Sequence, residues 1–296
     1  MKIASTNNLT TCFFVTDLHG SIERYEKLFR EIRSRLPKIV FIGGDVLPNF
    51  ALYRDVPGHP HQNFLGDYLI KKLGALKSDL KKDYPAIFII PGNDDPKIHE
   101  EDFIKGERAK IWTYFHNRTK HHEKFHLFGY ACVPPTPFQL KDWERYDVSR
   151  YVDPGCISPE DGLHTVEFDE TGLRYGTIEK DLKKLVRNIQ DFTATVFLFH
   201  SPPYSTNLDR AALDGKMIDH VPMDVHVGSI AIRRFIEKYQ PLVTLHGHIH
   251  ESARITGKWQ DRIGRTLCFT AAHDSTELAL VRFSLEIPEK ATRELL

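Results

Sequence analysis

With 296 residues, 41% of them hydrophobic, the chain is long enough to bury a sizeable core. Its 40 basic and 40 acidic residues cancel without a long run of either sign, which argues against a nucleic-acid tail or a polybasic membrane patch. No stretch approaches the roughly 18 uninterrupted apolar residues of a membrane span, and the opening MKIASTNNLTTCFFV does not read as a secretory leader, so the expectation is a soluble, cytoplasmic protein.

In chain order, one theme recurs: a short apolar run ends in a polar cluster, and an amphipathic segment precedes the next run. That is the pattern of an α/β protein. CFFVT, Cys12 to Thr16, reads as a strand running into Asp17-Leu18-His19-Gly20. Ser21 then caps a helix carrying Tyr25, Leu28, Phe29 and Ile32 at helical spacing. Lys38 to Ile42 is a second strand, ending in Gly43-Gly44-Asp45. Leu65, Leu69, Leu73, Leu76 and Leu80 mark a helix before a third strand, Ala86 to Ile90, which ends in Pro91-Gly92-Asn93-Asp94-Asp95.

The stretch 134–162 has turn formers and aromatics (Phe138, Trp143, Tyr146, Tyr151) without a period, and is expected to be a surface excursion, an oligomer contact or a lid. Further on, Ile178, Leu182, Leu185, Val186 and Ile189 predict a helix before the strand Thr195 to Phe199, which runs into His200-Ser201-Pro202-Pro203. A helix around Ile232, Phe235 and Ile236 precedes the strand LVTLH, which ends in Gly247-His248-Ile249-His250. Arg254 to Phe283 reads as strands and turns without a long helix. No composition break, repeat or low-complexity segment divides the chain, so residues 1–296 are expected to form a single domain.

Cys12, Cys132, Cys156 and Cys268 are scattered, with no CxxC pair, and read as reduced packing residues. The 16 histidines are unusually many, and several directly follow apolar strands. Any one Asp-x-His, Gly-Asp, Gly-Asn-Asp or Gly-His-x-His after a strand is explained by turn chemistry alone. Five such clusters at five strand ends, all drawn from metal-ligand residue types, are not. Strand ends of an α/β sheet line one edge, so clusters distant in sequence can meet there.

Imidazoles, carboxylates and an amide oxygen suit two divalent cations such as Mn, Fe, Zn or Ni, with Mg a poorer fit. Such a pair clamps a phosphoryl oxygen and acidifies a bridging water to hydroxide for in-line attack, so no nucleophilic side chain is needed. Gly44, Gly92 and Gly247 allow close backbone approach to the ions.

The five boxes, Asp17-x-His19, Gly44-Asp45, Gly92-Asn93-Asp94-Asp95, His200 and Gly247-His248-x-His250, resemble the signature of the calcineurin-like metallophosphoesterases over most of the chain. The resemblance implies a four-layer α/β/β/α sandwich of two mixed β-sheets flanked by helices. It also implies that Asp17, His19 and His250 hold one metal, that Asn93, His200 and His248 hold the other, and that Asp45 bridges. Asp95 matches the family's acidic residue that orients a ligand histidine from behind.

The departure is Asp94, where the family usually has a histidine that assists the leaving group or stabilises the transferring phosphoryl. An anionic carboxylate there repels a phosphate dianion more than a diester monoanion, so Asp94 is expected to tilt the chemistry toward phosphodiesters, or toward substrates with good leaving groups. The expected substrate is a small-molecule or nucleotide phosphoester. The competing reading is a metal-binding scaffold that keeps the fold without turnover. His59, His61, His121, His122, His220 and His226 read as solvated and His126 as a strand residue, while His273-Asp274, which also follows a strand, is a candidate for the neighbourhood of the site.

Overall fold

The structure, a computed structural model, describes residues 9–49 and 63–296. Two six-stranded mixed sheets pack face to face with helices on their outer sides. The first contains β1 (Thr11–Val15), β2 (Ile39–Gly43), β3 (Ala86–Ile90) and β4 (Thr113–Tyr114) in parallel, with β13 (Ala279–Ser284) antiparallel to β1 and β14 (Thr292–Leu295) antiparallel to β13. The second has β6 (Phe125–Tyr130), β7 (Thr195–Phe199), β10 (Val243–His246) and β12 (Thr266–Thr270) in parallel. Its edges are antiparallel, formed by β5 (Arg118–His122) and β11 (Gln260–Ile263). A two-stranded hairpin, β8 (Met217–Ile218) with β9 (Val221–Pro222), stands apart from both sheets.

Strand alternation decides which core each side chain joins. In the first sheet Phe14, Phe41, Phe88 and Ile90 face the second sheet. Their neighbours Phe13, Val15, Val40, Ile42, Ile87 and Ile89 face the helices Ile22–Arg35 and Ile70–Leu80. Phe269 and Phe283, with ring centroids 5.6 Å apart, join β12 to β13 across the sandwich. On the far side of the second sheet Phe197 meets Phe235 of the helix Ile230–Tyr239, ring centroids 4.9 Å apart.

Ser21 caps the first helix as expected, its hydroxyl accepting from the Arg24 N–H. The leucine-rich helix begins with a widened π-helical turn at Leu65–Leu69. A helix not expected from the sequence, Glu100–Arg108, buries Phe103. Cys12, Cys132 and Cys268 are buried, Cys156 is half-buried, and all four are free. Among the described residues, no helix is long and apolar enough to cross a membrane.

The excursion after Pro134 holds no regular helix or strand. Side chains fix it instead. Lys141 and Glu144 form a fully buried ion pair at 2.6 Å, and Glu144 also accepts from the Thr136 backbone N–H. Burial pushes the Glu144 carboxyl up to about 7 and depresses the Lys141 ammonium, so the desolvation of each group outweighs their attraction. Asp142 accepts from the Lys97 and Thr165 N–H groups. Asp147 accepts from Ile230 N at 2.6 Å, at the start of the Ile230–Tyr239 helix.

Candidate metal centre

All five polar clusters lie at the carboxyl ends of parallel strands, three from the first sheet (β1, β2, β3) and two from the second (β7, β10). Backbone bonds knit these ends together. Asp17 N donates to Gly44 O at 3.0 Å, His19 N to Asp45 O at 2.8 Å, and Gly247 N to His200 O at 2.8 Å. His248 N donates to the Asp17 carboxylate at 3.1 Å. Four of the seven candidate ligands, Asp17, His19, Asp45 and His248, hold positive φ. Left-handed backbone costs roughly 1–3 kcal/mol at a non-glycine residue, so the surrounding bonds must impose it.

One ligand atom each from Asp17, His19, Asp45 and His250 lies within 4.8 Å of the others. The His19 and His250 Nε2 atoms are 3.2 Å apart, and His250 Nε2 is 3.3 Å from Asp17 Oδ1. Beside this group stands a second. His200 Nε2 lies 3.0 Å from Asn93 Oδ1 and 3.3 Å from Asp45 Oδ2, and the His248 ring centroid is 5.3 Å from that of His200. Asp45 Oδ2 is 3.8 Å from His19 Nε2 on the other side, so this carboxylate stands between the two groups.

These donors fit divalent cations. The His200 Nδ1–H donates to Gly43 O at 2.8 Å, which leaves the Nε2 lone pair facing two oxygen acceptors. Acceptors converging in a buried space need a positive charge among them. With only protons to supply it, burial disfavours charged imidazole, yet Asp45 outweighs burial and carries His200 up to about 10. His250 rises to about 9 against burial because of Asp17. Burial and the charge on His200 push His248 down to about 3. The carboxylates that raise His200 and His250 are the same groups that a bound cation would meet.

Asp94 faces the mouth of this centre. Burial first, then the Asp45 carboxylate, push its carboxyl up to about 7 in the metal-free protein. A nearby divalent cation would pull it back toward the ionised form. Asp95 also differs from expectation. Its buried carboxylate accepts from Val46 N at 3.0 Å, Leu47 N at 2.7 Å and Gly92 N at 2.8 Å, so it fixes the turns that carry Asp45 and Asn93 and not a histidine ring.

His273 pairs with Glu277 at 3.3 Å and Asp274 with Arg254 at 2.7 Å, so neither binds a candidate ligand. The loop they belong to still reaches the site indirectly, because Arg24 bonds both Asp17 O and Ser275 O. His226, expected to be solvated, donates its Nδ1–H to the Asp209 carboxylate at 2.8 Å. His121 lies opposite His126 in the β5–β6 ladder. His59 and His61 fall outside the described residues. Sequence reasoning missed Arg24, and also His246, a fully buried ring bonded to Ser201 O at 2.9 Å and Thr244 Oγ1 at 2.8 Å. His246 precedes the Gly-His-x-His box by alternation along β10, which was the available signal.

The profile of the calcineurin-like phosphoesterase family matches residues 11–252. An uncharacterised protein of Methanocaldococcus jannaschii is 24% identical over 255 residues, 86% of this chain and 84% of its own. A crystal structure of a Thermus thermophilus protein superposes with a TM-score of 0.56 at 14% identity, covering 97% of this chain and 99% of that one. A dimetal phosphatase from Danio rerio superposes with a TM-score of 0.51 at 10% identity, covering 97% and 96%. These structural likenesses extend to the fold, and the family match covers β1 to β10 and all five boxes. The chain belongs to the calcineurin-like phosphoesterase family.

Proposed function

We propose that this family member hydrolyses phosphoesters with two divalent cations held where the two sheets meet, and that it favours diesters over monoesters. The observation that carries the reading is Asp45, whose Oδ2 lies between His200 Nε2 at 3.3 Å and His19 Nε2 at 3.8 Å. Asp17, His19 and His250 would hold one cation, Asn93, His200 and His248 the other, with Asp45 shared. Mn, Fe, Zn or Ni suit this mixture of imidazole and oxygen donors better than Mg. When bound, such a pair neutralises phosphoryl charge and makes a water acidic enough to attack as hydroxide near neutral pH.

The chain's own groups supply the remainder. The Gly43 carbonyl fixes the His200 tautomer by taking its Nδ1–H. Asp95 holds the two ligand-bearing turns in register. Asp94 places an ionisable carboxyl at the mouth, where its charge opposes a monoester dianion more than a diester monoanion. The dimetal phosphatase with the same fold supports a two-cation centre, and a small-molecule or nucleotide diester is the substrate class.

The test is purified protein supplied with Mn, Ni, Zn, Fe or Mg and offered an aryl phosphodiester or the matching monoester. Diester hydrolysis should exceed monoester hydrolysis, vanish with chelator and return with metal. A monoester rate well above the diester rate overturns the preference. Bound metal without hydrolysis of either ester overturns the enzymatic reading in favour of a scaffold.

A further inference from the structure

We infer that Asp94 is a positioning residue that braces the ligands of both cations, a role that rests on the two-cation reading and deepens it. The Asp94 side chain and backbone touch three candidate ligands. Its Oδ1 accepts from Asn93 Nδ2 at 3.0 Å, its Oδ2 lies 3.8 Å from His19 Nδ1, and its N–H donates to Asp45 Oδ1 at 2.9 Å. On its other side Asn49 Nδ2 approaches Oδ2 at 3.5 Å.

His19 supplies the second observation. Its Nδ1 is buried without a hydrogen-bond partner. An imidazole that turns Nε2 toward a cation carries its proton on Nδ1, and metal-bound histidines ordinarily donate that proton to a carboxylate or carbonyl. Left unmet in a buried place, such a donor is destabilising. The nearby acceptor is Asp94 Oδ2, 3.8 Å away.

Asn93 shows the other arm of the brace. The amide turns its oxygen to His200 and donates its NH2 to Asp94. The bond to Asp94 thus holds Asn93 in the orientation that presents its oxygen to the centre. A neutral imidazole has one acceptor nitrogen, whereas a carboxylate has two oxygens, so a histidine at this position could not serve both partners.

The experiment is Mn2+ binding, followed by calorimetry and by electron paramagnetic resonance, for the wild type, Asp94→Ala and Asp94→Asn. Asp94→Ala should weaken Mn2+ binding about 10–100-fold. Asp94→Asn, which keeps one acceptor oxygen, should fall between it and the wild type. In a His19→Ala background the further loss from Asp94→Ala should be smaller, because one arm of the brace is already gone. Should Asp94→Ala not fold, Asp94→Asn with wild-type affinity overturns the proposal by itself. Wild-type affinity and stoichiometry in Asp94→Ala with only the hydrolytic rate altered also overturns it. A wild-type protein that binds none of Mn2+, Fe2+, Zn2+ and Ni2+ refutes the two-cation reading instead, and so the two failures are told apart.

Discussion

The Trp143 indole N–H donates to the Asp95 carbonyl oxygen at 2.7 Å, joining the excursion after Pro134 to the turn that carries Asn93 and Asp94. Since the Asp95 carboxylate also receives Val46 and Leu47 N–H groups, one chain of bonds runs from the excursion to the Asp45 turn. Trp143→Phe keeps the ring and removes the donor, leaving a buried carbonyl unmet. Urea unfolding should register a loss of about 1–3 kcal/mol. An unchanged midpoint would mean that the indole bond adds nothing to the excursion's attachment.

Gly92 sits against both the second and the fourth boxes. A Cβ at this position would meet Asp45 Oδ1 and Asp45 N, and would come within 2.7 Å of His200 Cε1. Gly92→Ala should therefore displace the shared carboxylate, lowering metal occupancy and diesterase activity at least tenfold by a rough estimate from lost ligand support. Metal analysis of the purified variant decides the matter, and full occupancy with wild-type activity would contradict the crowding.

Removing Lys141 alone leaves Glu144 buried without its cation. Lys141→Met should destabilise by about 3–5 kcal/mol, the range for a broken buried pair. Glu144→Gln in the same chain should recover part of this, since the neutral amide still accepts from the Thr136 N–H. The two unfolding curves test the coupling, and simple additivity would deny it.

His116 gives a pH dependence away from the metal ligands. Burial, then Lys97, Arg145 and Arg118, push this imidazole down to about 3, and its Nδ1 accepts from Ala131 N at 3.0 Å. Below the unfolded value of about 6.5 the unfolded chain takes up a proton that the folded chain refuses. Stability is therefore lost as pH falls from about 6.5 toward 3, by about 2 kcal/mol between pH 7 and pH 5 at 1.36 kcal/mol per unit. In chelated protein His116→Gln should show a correspondingly shallower slope, and parallel slopes would show that His116 does not contribute.

Replacing Asp94 by histidine exchanges an anion for a group that can be neutral or cationic at the mouth. Asp94→His should raise monoester hydrolysis relative to diester hydrolysis at saturating metal. An unchanged ratio would show that residue 94 does not meet the substrate's phosphoryl charge.

The strands at Cys12, Lys38, Ala86, Thr195 and Leu242 were legible because a short apolar run is a local signal, and each ended in Gly, Asp, Asn or His. Those ends, from Asp17 to His250, determined the donor set and hence the family. Residues without a local period were decided only in three dimensions. Lys141 and Glu144 look like surface charges in sequence and lie fully buried, because each finds the other. Asp95 follows its box as expected, yet the left-handed turn at Asp45 brings the Val46 and Leu47 N–H groups to it before any imidazole. Asp94 was visible as a departure from the family pattern. That its carboxyl reaches toward both Asn93 and His19 follows from how β1 and β3 are set on either side of β2, which no spacing along the chain encodes.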